Sequence, residues 1–138
     1  MEQGAWEESL IVENHANPFI PELHLFHSRK KYVKFVERHG GDCSEMSDAA
    51  GQMTYIDGLA AILIDCDEDW HSEAALLVHE AYHAAVAHFT ALGETEPGEE
   101  VMAYAIQVIS GSLFYAHDEW KQGRSEQNED SNKSSGAN

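Results

Sequence analysis

Apolar and polar positions follow two different periods along this chain, and the change of period marks its elements. "ELHLFH", Glu22 to His27, alternates with a period of two and predicts a strand. "SRKKYVKFVERHG" then sets Tyr32, Phe35 and Val36 on one helical face, with Ser28 as N-cap and Gly40 as the stop. "GDCSEMSDAAG" is loop-like, and "QMTYID" and "LAAILID" read as two strands joined by the turn Asp57-Gly58. Behind the acidic stretch "DEDWHSEA", where Asp69 or Ser72 can cap, the pattern predicts a helix from Glu73 to Leu92 that stops at Gly93. A last helix is predicted from Glu99 to Trp120. Ahead of all these lie a short apolar patch, "SLIVE", and a turn around Pro18.

The order strand, helix, two strands, two helices implies an α+β fold, a short sheet covered by helices. The N-terminal helix is basic: Arg29, Lys30, Lys31, Lys34 and Arg38 are five of the chain's eight lysines and arginines. Residues 1–120 form a single domain on this reading. Residues 121–138, "KQGRSEQNEDSNKSSGAN", hold almost nothing apolar and are expected to be a disordered, undocked polar tail.

Apolar residues make up 43% of the chain and charged ones 24%, ordinary for a globular domain, so composition alone does not restrict its class. Charge does. A formal net charge of -17 repels nucleic acid and anionic membrane and favours cationic peptides or proteins as partners. No apolar run is long enough to span a bilayer, and the acidic start "MEQGAWEESL" is unlike a signal peptide. Cys43 and Cys66 are too few for a disulfide framework and lack CxxC spacing, so reduced thiols and a cytoplasmic location are expected.

The chemistry concentrates in "LLVHEAYHAAV". His79 and His83 are four residues apart, hence about 6 Å apart at Cβ on one helical face, where both imidazoles can reach one zinc ion. Glu80 is one step around the helix, placed to take a proton from a zinc-activated water without being a ligand. The alternative is a helix with two surface histidines. The apolar surroundings favour metal, because buried imidazoles and a buried glutamate need a common partner. Glu99 and Glu100, which open the last helix, are candidates for a third ligand, although a helix regular to Leu92 carries its end about 13 Å past His83. His88 is expected to be a packing or surface histidine, Tyr104 a core tyrosine, and Tyr82 to point away from the metal. His24 and His27 should face opposite sides of their strand.

"LVHEAYHAAV" followed by "EEVMAYAIQ" resembles the minimal zincin-like proteins of phage and prophage genomes, and more broadly the gluzincin metallopeptidases. The resemblance covers about residues 22–120. It implies a zincin-like domain in which the two C-terminal helices carry the site. His79, His83 and Glu100 would be zinc ligands, with Glu100 preferred over Glu99, and Glu80 the general base. The implied function is zinc-dependent amide hydrolysis of a peptide or protein, in the host cytoplasm if phage-encoded. Little chain remains for a large substrate cleft. The competing reading is a zincin-like scaffold that acts as an acidic binding or inhibitory protein of the DNA-mimic type.

Overall fold

The computed structural model describes residues 10–11, 17–44 and 46–136, and the side chains of 17–44 and 46–124. Most of the apolar patch and turn ahead of Glu22 falls outside the described residues. The strands are β1 (Leu10–Ile11), β2 (Glu22–Phe26), β3 (Gly51–Ile56) and β4 (Leu59–Ile64). They form one sheet in the order β1-β2-β4-β3, with β2 and β4 parallel and the other pairs antiparallel. The helices are α1 (Arg29–Arg38), α2 (Trp70–Ala91) and α3 (Glu99–Gly136). The predicted order is found from β2 onward, with the two-residue β1 as an unpredicted addition ahead of it, and the fold is α+β.

β4 is apolar on both sides because both sides are covered. Ala61 and Leu63 meet Phe26, Tyr32, Phe35 and Val36 under α1. Ala60, Ile62 and Ile64 meet Leu77, Ala81, Phe89, Ile109 and Leu113 under the α2–α3 hairpin. Sequence alternation thus becomes three layers. Asp57 (φ 48°) and Gly58 (φ 83°) are both left-handed, as the tight β3–β4 hairpin turn requires. Every residue of β3 is only partly buried, in keeping with its place at the sheet edge.

Of the two candidate caps of α2, Asp69 is the one used. Its carboxylate accepts the Ser72 N–H at 2.9 Å, and the helix starts at Trp70 rather than Glu73. The end of α3 departs further from expectation. The helix does not stop at Trp120 but continues to Gly136. The absence of apolar residues after Trp120 hides charged and aromatic anchors. Lys121 Nζ lies 2.6 Å from Glu73 Oε1, Trp120 stacks on His27 with centroids 3.6 Å apart, and Arg124 sits over the Trp120 ring.

Glu73 is fully buried and fully matched. It accepts the Glu68 N–H at 2.9 Å, His117 Nε2–H at 2.9 Å and the Lys121 ammonium. Burial pushes its carboxyl up, but the hydrogen bonds from Lys121, His117 and Glu68 outweigh this and hold it down to about 2. His117 Nδ1 in turn faces His27 Nε2 at 2.9 Å. Burial, then the neighbouring His117, lowers the His27 pKa to about 3.

A group held below its ordinary pKa contributes stability above the unfolded value and loses it as pH falls. For His27 that loss runs from pH 6.5 to about 3, and for Glu73 from pH 4.5 to about 2. Urea unfolding across this range should show falling stability, with a visibly flatter dependence between pH 6.5 and 4.5 in His27→Phe. An unchanged slope would mean that His27 titrates normally. Deleting residues 121–138 removes the Lys121 cation and should destabilise the domain by about 1–3 kcal/mol, several degrees in Tm. A truncated protein that melts like the full chain would show that Lys121 contributes nothing to Glu73.

Candidate functional site

α2 is apolar almost all round, so its orientation is set by what it packs against. Leu77, Ala81, Ala84, Ala85, His88 and Phe89 face the core, and Glu80 falls on their side with 4% exposure. His79, Tyr82 and His83 are exposed. This corrects the expectation that the two histidines are buried. Water can solvate them, so burial does not oblige them to share a metal.

What the helix supplies instead is convergence. Nε2 of His83 lies 3.2 Å from Nε2 of His79. Two zinc–nitrogen bonds at a tetrahedral angle place their nitrogens about 3.3 Å apart, so the pair fits two corners of such a site. Glu80 stands beside it. Burial pushes the Glu80 carboxyl above its ordinary range, and the adjacent His79 and His83 pull it part of the way back. A raised, shielded carboxylate next to solvent-facing imidazoles suits proton acceptance.

The three side chains open into one groove of about 480 Å³, with Gly51, Gln52 and Met53 of β3 along one side and Ser47 and Ala49 at its end. Two residues that the sequence did not single out shape it. A Cβ on Gly51 would stand 2.8 Å from Glu80 Oε2, so a glycine here lets the carboxylate lie against the edge strand. Arg29 donates to the Ser47 and Ala49 carbonyls at 3.0 and 2.8 Å and to Asp65 at 3.1 Å, fixing the loop that ends the groove. On the sequence Arg29 was simply one of five cations on α1. The only signal in the sequence is that Gly51 closes the loop-like stretch directly ahead of "QMTYID".

The third expected ligand stands elsewhere. α2 stays helical to Ala91, and Glu100 is exposed in the first turn of α3, lining neither this groove nor the cleft beside it. Among the described residues no three His, Cys, Asp or Glu side chains converge as a metal group. Glu99 instead lines that adjoining cleft, of about 560 Å³, together with Tyr82, Val86, Phe89 and Met102. Tyr82 thus points away from the imidazole groove, as its position predicts.

His24, His27, His88 and His117 have structural partners. His88 is a packing histidine, with Nδ1 2.7 Å from the Tyr55 hydroxyl and Nε2 2.8 Å from the Pro18 carbonyl. His24 packs on Phe35 beneath α1, whereas His27 pairs with His117 beside α3, so the two do part company. Tyr104 is half exposed and not a core residue.

Gly51→Ala tests the placement of the carboxylate. The glycine has no left-handed φ, so the strand tolerates alanine and the Tm should stay close to that of the parent. The Glu80 side-chain carboxyl ¹³C resonance should shift. If that resonance is unmoved, the Glu80 carboxylate does not rest on β3.

Comparison of the chain with protein-family models, with curated proteins and with solved structures finds no match in any of the three.

Proposed function

We propose that the protein is a zinc-dependent hydrolase of peptide bonds, with His79 and His83 as metal ligands and Glu80 as general base. The observation that carries this reading is one groove holding two converged imidazole nitrogens, a buried carboxyl and the edge strand of the described sheet. Zinc, when bound, supplies Lewis acidity and brings the pKa of water towards neutrality. The chain's own residues do the rest. β3 is an edge strand, so its outward N–H and C=O groups can pair with an extended peptide and hold a carbonyl over the groove. Glu80 takes a proton from the attacking water as its oxygen adds to the carbonyl carbon. The same carboxyl then returns a proton to the nitrogen of the breaking C–N bond. Glu100 is proposed as the third ligand, which requires the first turn of α3 to close towards the imidazoles.

A second reading, an acidic binding protein, draws on the -17 charge and on exposed aromatic residues such as Tyr104 and Tyr115. The two part at Glu80, because a binder needs no base.

Zinc should copurify at about one ion per chain and be lost in His83→Ala, as read by metal analysis and by the response of Tm to added zinc. Glu100→Gln should weaken zinc binding first and hydrolysis as a consequence. Glu80→Gln keeps the volume but cannot accept a proton. It should fold and hold zinc near normally, while peptide hydrolysis falls by about a hundredfold or more. Full hydrolysis in Glu80→Gln would remove the glutamate from the mechanism. Protein that neither retains nor responds to zinc would end the metal reading.

A further inference from the structure

The groove has a neighbour. The cleft of about 560 Å³ lies between the C-terminal half of α2 and the start of α3. Val86 lines both cavities, and Tyr82, whose ring meets the His83 ring edge-on with centroids 6.0 Å apart, stands on the cleft side. Val86 is three residues past His83, about 4.5 Å along the helix axis. An extended peptide advances about 3.3 Å per residue. A peptide held over the imidazoles therefore reaches the cleft one or two residues from the bond above them.

The cleft combines two chemistries. Phe89, Met102 and Ile106 give it an apolar floor, while Glu94 and Glu99 lie exposed among its lining residues. An aliphatic side chain would fill the floor and leave the carboxylates unused. A lysine or arginine side chain uses both, its methylene stem on the floor and its charged head at the rim. The wider field points the same way. No lysine or arginine occurs between Arg38 and Lys121, a span that contains the groove, the cleft and Glu94, Glu96, Glu99 and Glu100. α1 packs on the sheet face opposite the α2–α3 hairpin, and its Arg29, which reaches the loop at the end of the groove, is taken up by two carbonyls and Asp65. No lysine or arginine of that span is there to neutralise the rim.

We propose that this cleft receives a lysine or arginine side chain of an extended peptide, one or two residues from the bond placed over His79 and His83. The inference rests on the peptide-hydrolase reading, and it names the substrate class. Fluorescently labelled hexapeptides, neutral apart from one central lysine, arginine, norleucine or glutamate, test it by anisotropy on the full chain with and without added zinc. The lysine and arginine peptides should bind about five- to tenfold more tightly than the norleucine peptide, the scale of two partly exposed ion pairs. The glutamate peptide should bind worst, and the preference should shrink at high salt. In the double variant Glu94→Gln, Glu99→Gln the lysine advantage should vanish while norleucine binding stays. Ala103→Trp, which fills the cleft from an exposed position, should weaken both. Equal binding of lysine and norleucine peptides, or a lysine advantage that survives the double substitution, overturns the proposal. Its failure is separable from that of the hydrolase. Cleavage without basic preference sinks the cleft alone, and charge-selective binding without zinc or cleavage sinks the hydrolase alone.

Discussion

A carboxylate with no access to water has to be satisfied by protein on every side, and Glu73 is where this fold meets that demand. Its three partners come from three places: the Glu68 N–H from the loop after β4, His117 from the middle of α3, and Lys121 from further along α3. One side chain therefore ties the exit of the central strand, the first turns of α2 and the long last helix. Once Glu73 is fixed inward, helical periodicity fixes the rest of α2. Leu77, Glu80, Ala84 and His88 follow inward, while His79 and His83 are carried out to the solvent-facing groove. The catalytic layout proposed for Glu80 and the imidazoles is thus a consequence of how a buried charge was solved seven residues earlier.

Ion pairs of this kind are weak evidence for net stability, because desolvation offsets much of the attraction. What they impose is geometry. An apolar residue at position 73 would leave the buried His117 Nε2–H and the Glu68 N–H unpaired, and would also leave α2, rich in alanine, free to settle in a neighbouring rotation. Phe89, with Leu77, Ala81 and Ala84, offers a smooth packing face; the Glu73 partners offer directional ones.

That same smoothness explains what the sequence could and could not tell. Alternation in "ELHLFH" and "LAAILID", the Asp-Gly turn and the capped helix starts are local signals, and each produced its element nearly in place. The i, i+4 spacing of His79 and His83 is local too, and the two nitrogens do converge. The rotation of α2 is not local. With alanines on most faces, the run "AALLVHEAYHAAVAHF" gives no clear apolar stripe, so the histidines read as buried when they are exposed. Lys121 and Arg124 were illegible for a related reason. Reading a tail by its lack of apolar residues cannot foresee a cation answering a buried carboxylate that lies 48 positions away, or an arginine over an indole. Arg29 and Gly51 matter through contacts made across the fold, which no spacing reveals.

A chain at -17 repels itself, and its few cations are worth most where they relieve that repulsion inside the fold. Arg29 is spent on two carbonyls and Asp65, and Lys121 on Glu73. α1, with the rest of the N-terminal cations, covers the sheet face opposite the α2–α3 hairpin. The sheet therefore separates charge as well as packing. The hairpin side, with the groove and the cleft, keeps its acidic field, which would draw the basic peptides proposed as substrates to the side on which His79, Glu80 and His83 lie. Electrostatics of this sort sets encounter rate and selectivity more than tightness. For the peptide substrate proposed above, long-range attraction towards a short groove would be the means of recognition.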